Sequence, residues 1–263
     1  MAVNSPSSVE FDAQVPCETD AETGLSIGPV ISSEPADLPV PLVLQGRYCR
    51  LEPLDVNKHL EDLFIAASTS DAASLFRYLP DSPPESRDVM LQWITAAVAS
   101  ADPLFFAVID LRPGSSSFGK ACGRQALMRI EPVHRVIEIG NIFWGPQIAR
   151  SVVSTEANYL FARYIFDELG FRRYEWKCDS LNQPSRNAAH RFGFSYEGHF
   201  RRAVIVRGRS RDTSWFSIIE EEWPALKAAY QAWLDPVNFD NAGQQIKSLA
   251  QMRELNGCNP ARS

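Results

Sequence analysis

The chain has 263 residues, 45% hydrophobic and 22% charged, a globular balance that excludes fibrous and wholly disordered classes. Its net charge of -6 is unevenly spread: residues 1–46 hold seven acidic side chains and no Lys or Arg, which leaves 25 acidic and 26 basic residues, or +1, on the body and gives no electrostatic reason to expect a nucleic-acid partner. No run approaches the roughly 18 apolar residues of a membrane span, no basic-then-apolar secretion signal opens the chain, and five scattered cysteines without a CxxC pair speak against a disulfide framework or structural zinc; a cytoplasmic protein free of membrane association is expected.

Residues 1–40 mix Ser, Pro, Glu, Asp, Ala and Gly with few aromatics, which predicts a disordered acidic leader. From about Pro41 apolar and polar residues alternate, and Val43 to Leu54 reads as a first strand that ends before the helix-start signal Asp55-Val56-Asn57. Two helical stretches, Asn57–Ser68 and Ser70–Tyr78, precede a third that opens at Pro83-Pro84-Glu85 and runs through Ser100. Three strand candidates follow in series, Leu104–Asp110, Phe118–Ile130 and Val136–Trp144. The stretch Val152–Leu169 reads as an amphipathic helix stopped by Gly170, then come a strand at Arg173–Asp179, a short helix at Gln183–Phe192, two long strands meeting around Arg207-Gly208-Arg209, and a last helix at Glu221–Leu234. Residues 236–263 read as a weakly ordered tail, so the organisation expected is leader, one α/β domain over 41–235, and tail.

Four segments in this order carry a family resemblance: Glu138-Ile139-Gly140-Asn141-Ile142-Phe143-Trp144, then Ser154-Thr155-Glu156-Ala157, then Asn182 to Phe194 with Glu197-Gly198 after it, then Gly208-Arg209-Ser210-Arg211-Asp212. Over roughly residues 43–220 the chain resembles the GNAT N-acetyltransferases, in particular the branch of the ribosomal-protein enzymes RimJ and RimL. The resemblance implies a mixed, mostly antiparallel central sheet flanked by helices, with two central strands splayed into an acyl-CoA cleft. It also implies direct transfer of an acetyl or similar acyl group from acetyl-CoA to a primary amine, by a monomer or homodimer and without a metal.

What the resemblance assigns can be set against physical need. Asn182 suits a helix cap and Pro184 the first turn, while Ser185 can direct a hydroxyl either into the cleft, to protonate a departing thiolate, or into its own helical turn. Backbone N–H groups near Phe143 and Trp144 are expected to bind the acyl carbonyl. Glu138 is a candidate base for the attacking amine, although a carboxylate at a strand start also fits an ion pair.

The helix start at Val152, Val153, Ser154 and Thr155, with Arg150 before it, is expected to hold a pyrophosphate on its unpaired N–H groups. Here the chain departs from its family: Ala149 stands where Gln or Arg is usual and Val152 where Gly is usual. The lost glycine motivates an alternative, a non-catalytic binding module that keeps the fold. His134, His190 and His199 have no metal-ligand spacing, and Arg201, Arg202, Arg207, Arg209 and Arg211 read either as phosphate recognition or, in preference, as a solvated strand edge.

Overall fold

A computed structural model describes residues 16–240 and 243–258. The chain divides into two compact units, Met1–Glu34 and Pro35–Ser263. In the first, strands β1 (Glu18–Thr19) and β2 (Ser26–Ile27) pair antiparallel. The Asp20 carboxylate closes their turn by accepting from the Glu22 and Thr23 amides and the Thr23 hydroxyl, and Gly24 adopts φ 71°. A leader without structure was expected through residue 40; its first 15 residues lie outside the described ones. Local Asp/Thr turn chemistry gives the described part a hairpin.

The second unit is built on an eight-stranded sheet. Its strands are β3 (Leu44–Gln45), β4 (Cys49–Pro53), β5 (Leu104–Asp110), β6 (Ala121–Glu131), β7 (Val136–Trp144), β8 (Arg173–Asp179), β9 (Ser195–Val206) and β10 (Arg209–Ile219), in spatial order β3-β4-β5-β6-β7-β8-β10-β9. Every neighbouring pair is antiparallel except β7 with β8. That parallel pair requires a crossover, which is α4 (Val152–Arg163), continued by a π-helical turn at Tyr164–Glu168. Helices α1 (Val56–Ala67), α2 (Ala72–Leu75) and α3 (Arg87–Val98) precede β5, α5 (Gln183–Phe192) joins β8 to β9, and α6 (Trp223–Leu234) and α7 (Leu249–Leu255) follow the sheet.

Helices cover both faces, and β5 shows why its sequence is an unbroken apolar run rather than an alternating one. Phe106 and Val108 enter the larger core with Phe161 and Trp233, whereas Ala107 and Ile109 enter a second core with Leu63 and Ile94 of α1 and α3. Helix α4 departs from the amphipathic reading, because all ten residues from Val153 to Ala162 are buried. Its polar members are satisfied internally: Asn158 donates to the Tyr230 hydroxyl at 2.9 Å, and the Glu156 carboxylate accepts from the amides of Arg47, Tyr48 and Cys49 at 2.9, 2.6 and 2.7 Å. Those amides belong to the turn between β3 and β4, which splits the single first strand expected over Val43–Leu54 into two.

Both ends of the domain reach further than the sequence suggests. The Ala36 and Asp37 amides donate to Pro132 and Leu169 carbonyls and the Val40 amide to the Tyr164 hydroxyl, so residues below 41 belong to the body. The stretch beyond Asp235 was expected to be weakly ordered, yet α7 starts with a reciprocal capping box between Ser248 and Gln251, buries Leu249, and sends the Arg253 guanidinium to the His190 carbonyl at 2.8 Å. The five cysteines are free thiols.

Candidate active site

The cleft originates in the one parallel pairing. Strands β7 and β8 are in register over four pairs, from Val136 with Arg173 to Ile139 with Trp176, and the ladder ends there although β7 runs on to Trp144 and β8 to Asp179. The cause lies on the other side of β7. Against β6 the register steps from Ala126 with Gly140 to Arg124 with Phe143, a bulge in which Asn141 adopts φ 51°. Asn tolerates this left-handed region better than most residues, and the extra residue bends the strand.

The Arg124 guanidinium holds the bulge by donating to the Asn141 carbonyl at 3.1 Å, and is itself fixed by Asp81 at 2.6 Å and by the Trp93 ring at 4.1 Å. A Cβ at Gly140 would meet the Met128 sulfur, so a larger residue there would displace that side chain. Aromatic side chains fill the floor of the gap: Phe192 packs against Trp144 and Trp176 with ring centroids 5.9 and 6.0 Å away.

The resulting cleft has a volume of about 1660 Å³ and gathers residues remote in sequence. Among the expected site residues, Glu138, Phe143, Trp144, Arg150, Ser154, Asn182 and Ser185 line it. Val152, Val153 and Thr155 do not: Val152 packs on the core, Val153 and Thr155 are buried, and Thr155 accepts from Arg191 at 2.9 Å. Backbone explains the difference. Ser151 caps α4 by accepting the Val153 amide at 3.1 Å, and the first-turn amides of Val152 and Ser154 belong to the donors that a helix cannot satisfy internally. Val152 is already helical and tolerates a side chain; the positive φ of 56° falls two residues earlier, on Arg150.

Glu138 is buried, with its side chain 5% exposed. Burial pushes its carboxyl above the ordinary value, the Lys177 ammonium and Arg129 guanidinium pull it back, and Glu175 adds to the rise. Lys177 Nζ stands 2.9 Å from Glu138 Oε2 and 2.6 Å from Glu175 Oε2, and caps the Trp215 ring at 3.8 Å. Trp215 stacks in turn on Phe200, with centroids 4.6 Å apart.

Ser185 sits in the first turn of α5, where the Asn182 side chain accepts its amide at 3.1 Å, as expected of a cap. Its hydroxyl accepts from the Trp176 indole at 3.0 Å, which fixes the oxygen. The buried Cys178 thiol beside it is pushed up by burial. Opposite lie the segment after α2 and the β9–β10 hairpin. The Tyr78 hydroxyl donates to the Leu181 carbonyl at 3.1 Å, and Arg207 donates to the carbonyls of Phe76 and Arg77 at 3.2 and 2.5 Å, so the cleft is bridged by main-chain contacts. Arg207 is exposed beside the edge strand, as the sequence suggests, but its guanidinium is engaged by those carbonyls. Lys177, Tyr78 and Arg211 are missed by local motifs because only the tertiary fold brings them to the cleft.

A mixed sheet with one parallel pair opened by a bulge, a helix N-terminus at its mouth and a buried carboxylate inside it define an acyl-CoA-dependent N-acetyltransferase. Residues 49–195 match the acetyltransferase (GNAT) domain Acetyltransf_3, and the chain belongs to that family. A GCN5-related N-acetyltransferase from Brucella melitensis is 54% identical, with a TM-score of 0.81 over 84% of this chain and 98% of that one. A probable GNAT-family acetyltransferase from Chromobacterium violaceum ATCC 12472 is 34% identical, with a TM-score of 0.67 over 75% and 96%. The Bacillus subtilis (strain 168) protein named "Putative ribosomal N-acetyltransferase YdaF" is 30% identical over 110 residues, 41% of this chain and 59% of that relative, in line with the RimJ- and RimL-like resemblance. Among the described residues no helix is long and apolar enough to cross a membrane.

Proposed function

We propose that this chain transfers an acetyl group from acetyl-CoA directly to a primary amine, of a small molecule or a protein N-terminus, in a ternary complex in the cytoplasm. The observation that carries the proposal is the end of the β7–β8 ladder at Ile139 and Trp176, which leaves strand backbone facing an open cleft between Glu138 and Ser185.

In this reading the thioester lies between the splayed strands, with its carbonyl oxygen toward the backbone N–H groups near Phe143 and Trp144. The first turn of α4, from Val152 through Ser154, and Arg150 face the pyrophosphate. Its fit rests on the first-turn amides of Val152 and Ser154, beside the Val153 amide that Ser151 caps, and on a left-handed Arg150 that carries its backbone around the turn without glycine. The amine nitrogen attacks the carbonyl carbon, a C–N bond forms and the C–S bond breaks. The ammonium proton passes to Glu138, whose raised pKa suits a base, and the leaving sulfur takes a proton from the Ser185 hydroxyl, held by Trp176, as that oxygen takes one from solvent water.

Thiol release from acetyl-CoA in the presence of an amine panel tests the whole reading. Amine-dependent release is expected, and a protein that binds no CoA at millimolar concentration overturns it.

A further inference from the structure

The wall of the cleft formed by β10 has donors that the fold leaves unused. Arg211 and Trp215 both line the cleft, and the Nε of Arg211 and the Nε1 of Trp215 are sealed from solvent without a hydrogen-bond partner. Of the other cleft cations, Lys177 is shared between Glu138 and Glu175, Arg129 pairs with Glu138 and Arg191 donates to Thr155, while Arg77, Arg150 and Arg201 are exposed to water. The carboxylates near Arg211 along the strands are turned elsewhere. Asp212 accepts from the Arg202 amide at 2.7 Å and lies 3.0 Å from His199, and Asp179 accepts from the Leu181 amide at 2.9 Å. Among the described residues Arg211 therefore has no ion-pair partner, and a half-buried guanidinium in that state carries an uncompensated desolvation cost that an anion removes.

Trp215 cannot turn to find a partner for its N–H. One face of its ring lies on Phe200 and the other under Lys177. The register shift between Arg211 and Thr213 is taken up by β9, where the partners Val204 and Phe200 stand four residues apart and Arg202 adopts φ 50°, so β10 keeps its alternation and Arg211 stays on the face of Trp215.

From this unpaired guanidinium we infer an anion subsite on β10, and hence that the amine acceptor carries an acidic group, a carboxylate or a phosphate-type anion, held by Arg211 while its amine faces Glu138. The inference rests on the proposed acyl transfer only for the direction in which the acceptor lies; the subsite itself is a binding statement.

The test compares n-alkylamines with ω-amino acids and ω-aminoalkylphosphonates of matched chain length, using acetyl-CoA and full-length protein. The acidic members are expected to exceed their neutral partners in kcat/KM by roughly 10- to 100-fold, the scale of one charge-assisted pair. Arg211→Gln removes that preference through KM, leaves neutral amines and the Kd for CoA unchanged, and Arg211→Lys restores part of it. Carboxylate and phosphonate series together identify which anion is preferred.

Equal rates for neutral and acidic amines, a preference that survives Arg211→Gln, or a weakened Kd for CoA in that variant overturns the inference; the last outcome assigns Arg211 to the cofactor instead. Calorimetric titration of the CoA-saturated protein with the same pairs decides the matter even without turnover. Acid-dependent binding that Arg211→Gln abolishes supports the subsite while the transfer reading fails, and no binding of acidic amines at millimolar concentration refutes the subsite itself.

Discussion

Glu156 offers the sharpest test of how α4 is held in place. Its carboxylate accepts three main-chain amides, with Oε1 serving Arg47 and Oε2 serving Tyr48 and Cys49. Glu156→Gln keeps the shape but supplies one acceptor oxygen in place of two. If that oxygen serves Tyr48 and Cys49, the new NH₂ faces the Arg47 amide, and a buried donor meets a donor. The loss is one charge-assisted hydrogen bond and the weakening of two more, about 2–4 kcal/mol. For a domain of this size each kcal/mol lowers Tm by about 2–4 °C, so a fall of roughly 5–15 °C is expected in thermal unfolding followed by circular dichroism at neutral pH. A variant melting within about 2 °C of the parent would refute the claim that this carboxylate clamps the helix to the β3–β4 turn.

Three further outcomes are expected. The acid limb of the kcat–pH profile should follow Glu138, active only when deprotonated: because its pKa is raised, activity falls on acidification at a higher pH than an ordinary carboxylate would set, and Glu138→Gln should remove that limb and lower kcat on the order of 100-fold, whereas an unchanged limb points to another base. Ser185→Ala should reduce kcat at least about tenfold with the KM for acetyl-CoA unaltered, and the orphaned Trp176 indole should cost about 1–3 kcal/mol in urea unfolding; full activity would leave Ser185 only its structural part. Asp110 is buried, which would raise its pKa, but Arg112, Ser117 and Ser115 hold it down at about 2. A depressed pKa contributes stability above the unfolded value of about 3.9 that is lost as pH falls toward 2, here about 2 kcal/mol, and a urea midpoint compared at pH 6 and 2.5 should lose that increment in the parent but not in Asp110→Asn.

The sequence made legible what local chemistry decides. Asn182 and Gly193 bound α5 as a side-chain cap and a left-handed stop with φ 97°, and the apolar period of β7 marks a strand. What it hid depends on contacts between distant segments. Glu156 looks like an acidic residue near the start of a half-exposed helix, and only the β3–β4 turn, more than a hundred residues earlier, turns it into a buried anchor. The bulge at Asn141 has no local signature beyond an Asn in a strand, so the ladder's end after Ile139 could be reached only through family resemblance. Arg207 reads as edge charge until the segment after α2 is placed beneath it. By contrast the Ser248-x-x-Gln251 spacing of α7 was there to be read, and the low hydrophobicity around it obscured the signal.

The burial of α4 on every side has a consequence for ligand binding. A surface helix frays at its first turn, and a ligand that docks there must first restrain it. Here Ser151 caps that turn, Gln125 donates to the Ala157 carbonyl one turn further along, and Glu156 and Asn158 tie the following residues to the sheet and to α6. The amides at the mouth of the cleft are thus preorganised in the free protein, and an anion arriving there gives up little of its binding free energy to ordering the chain.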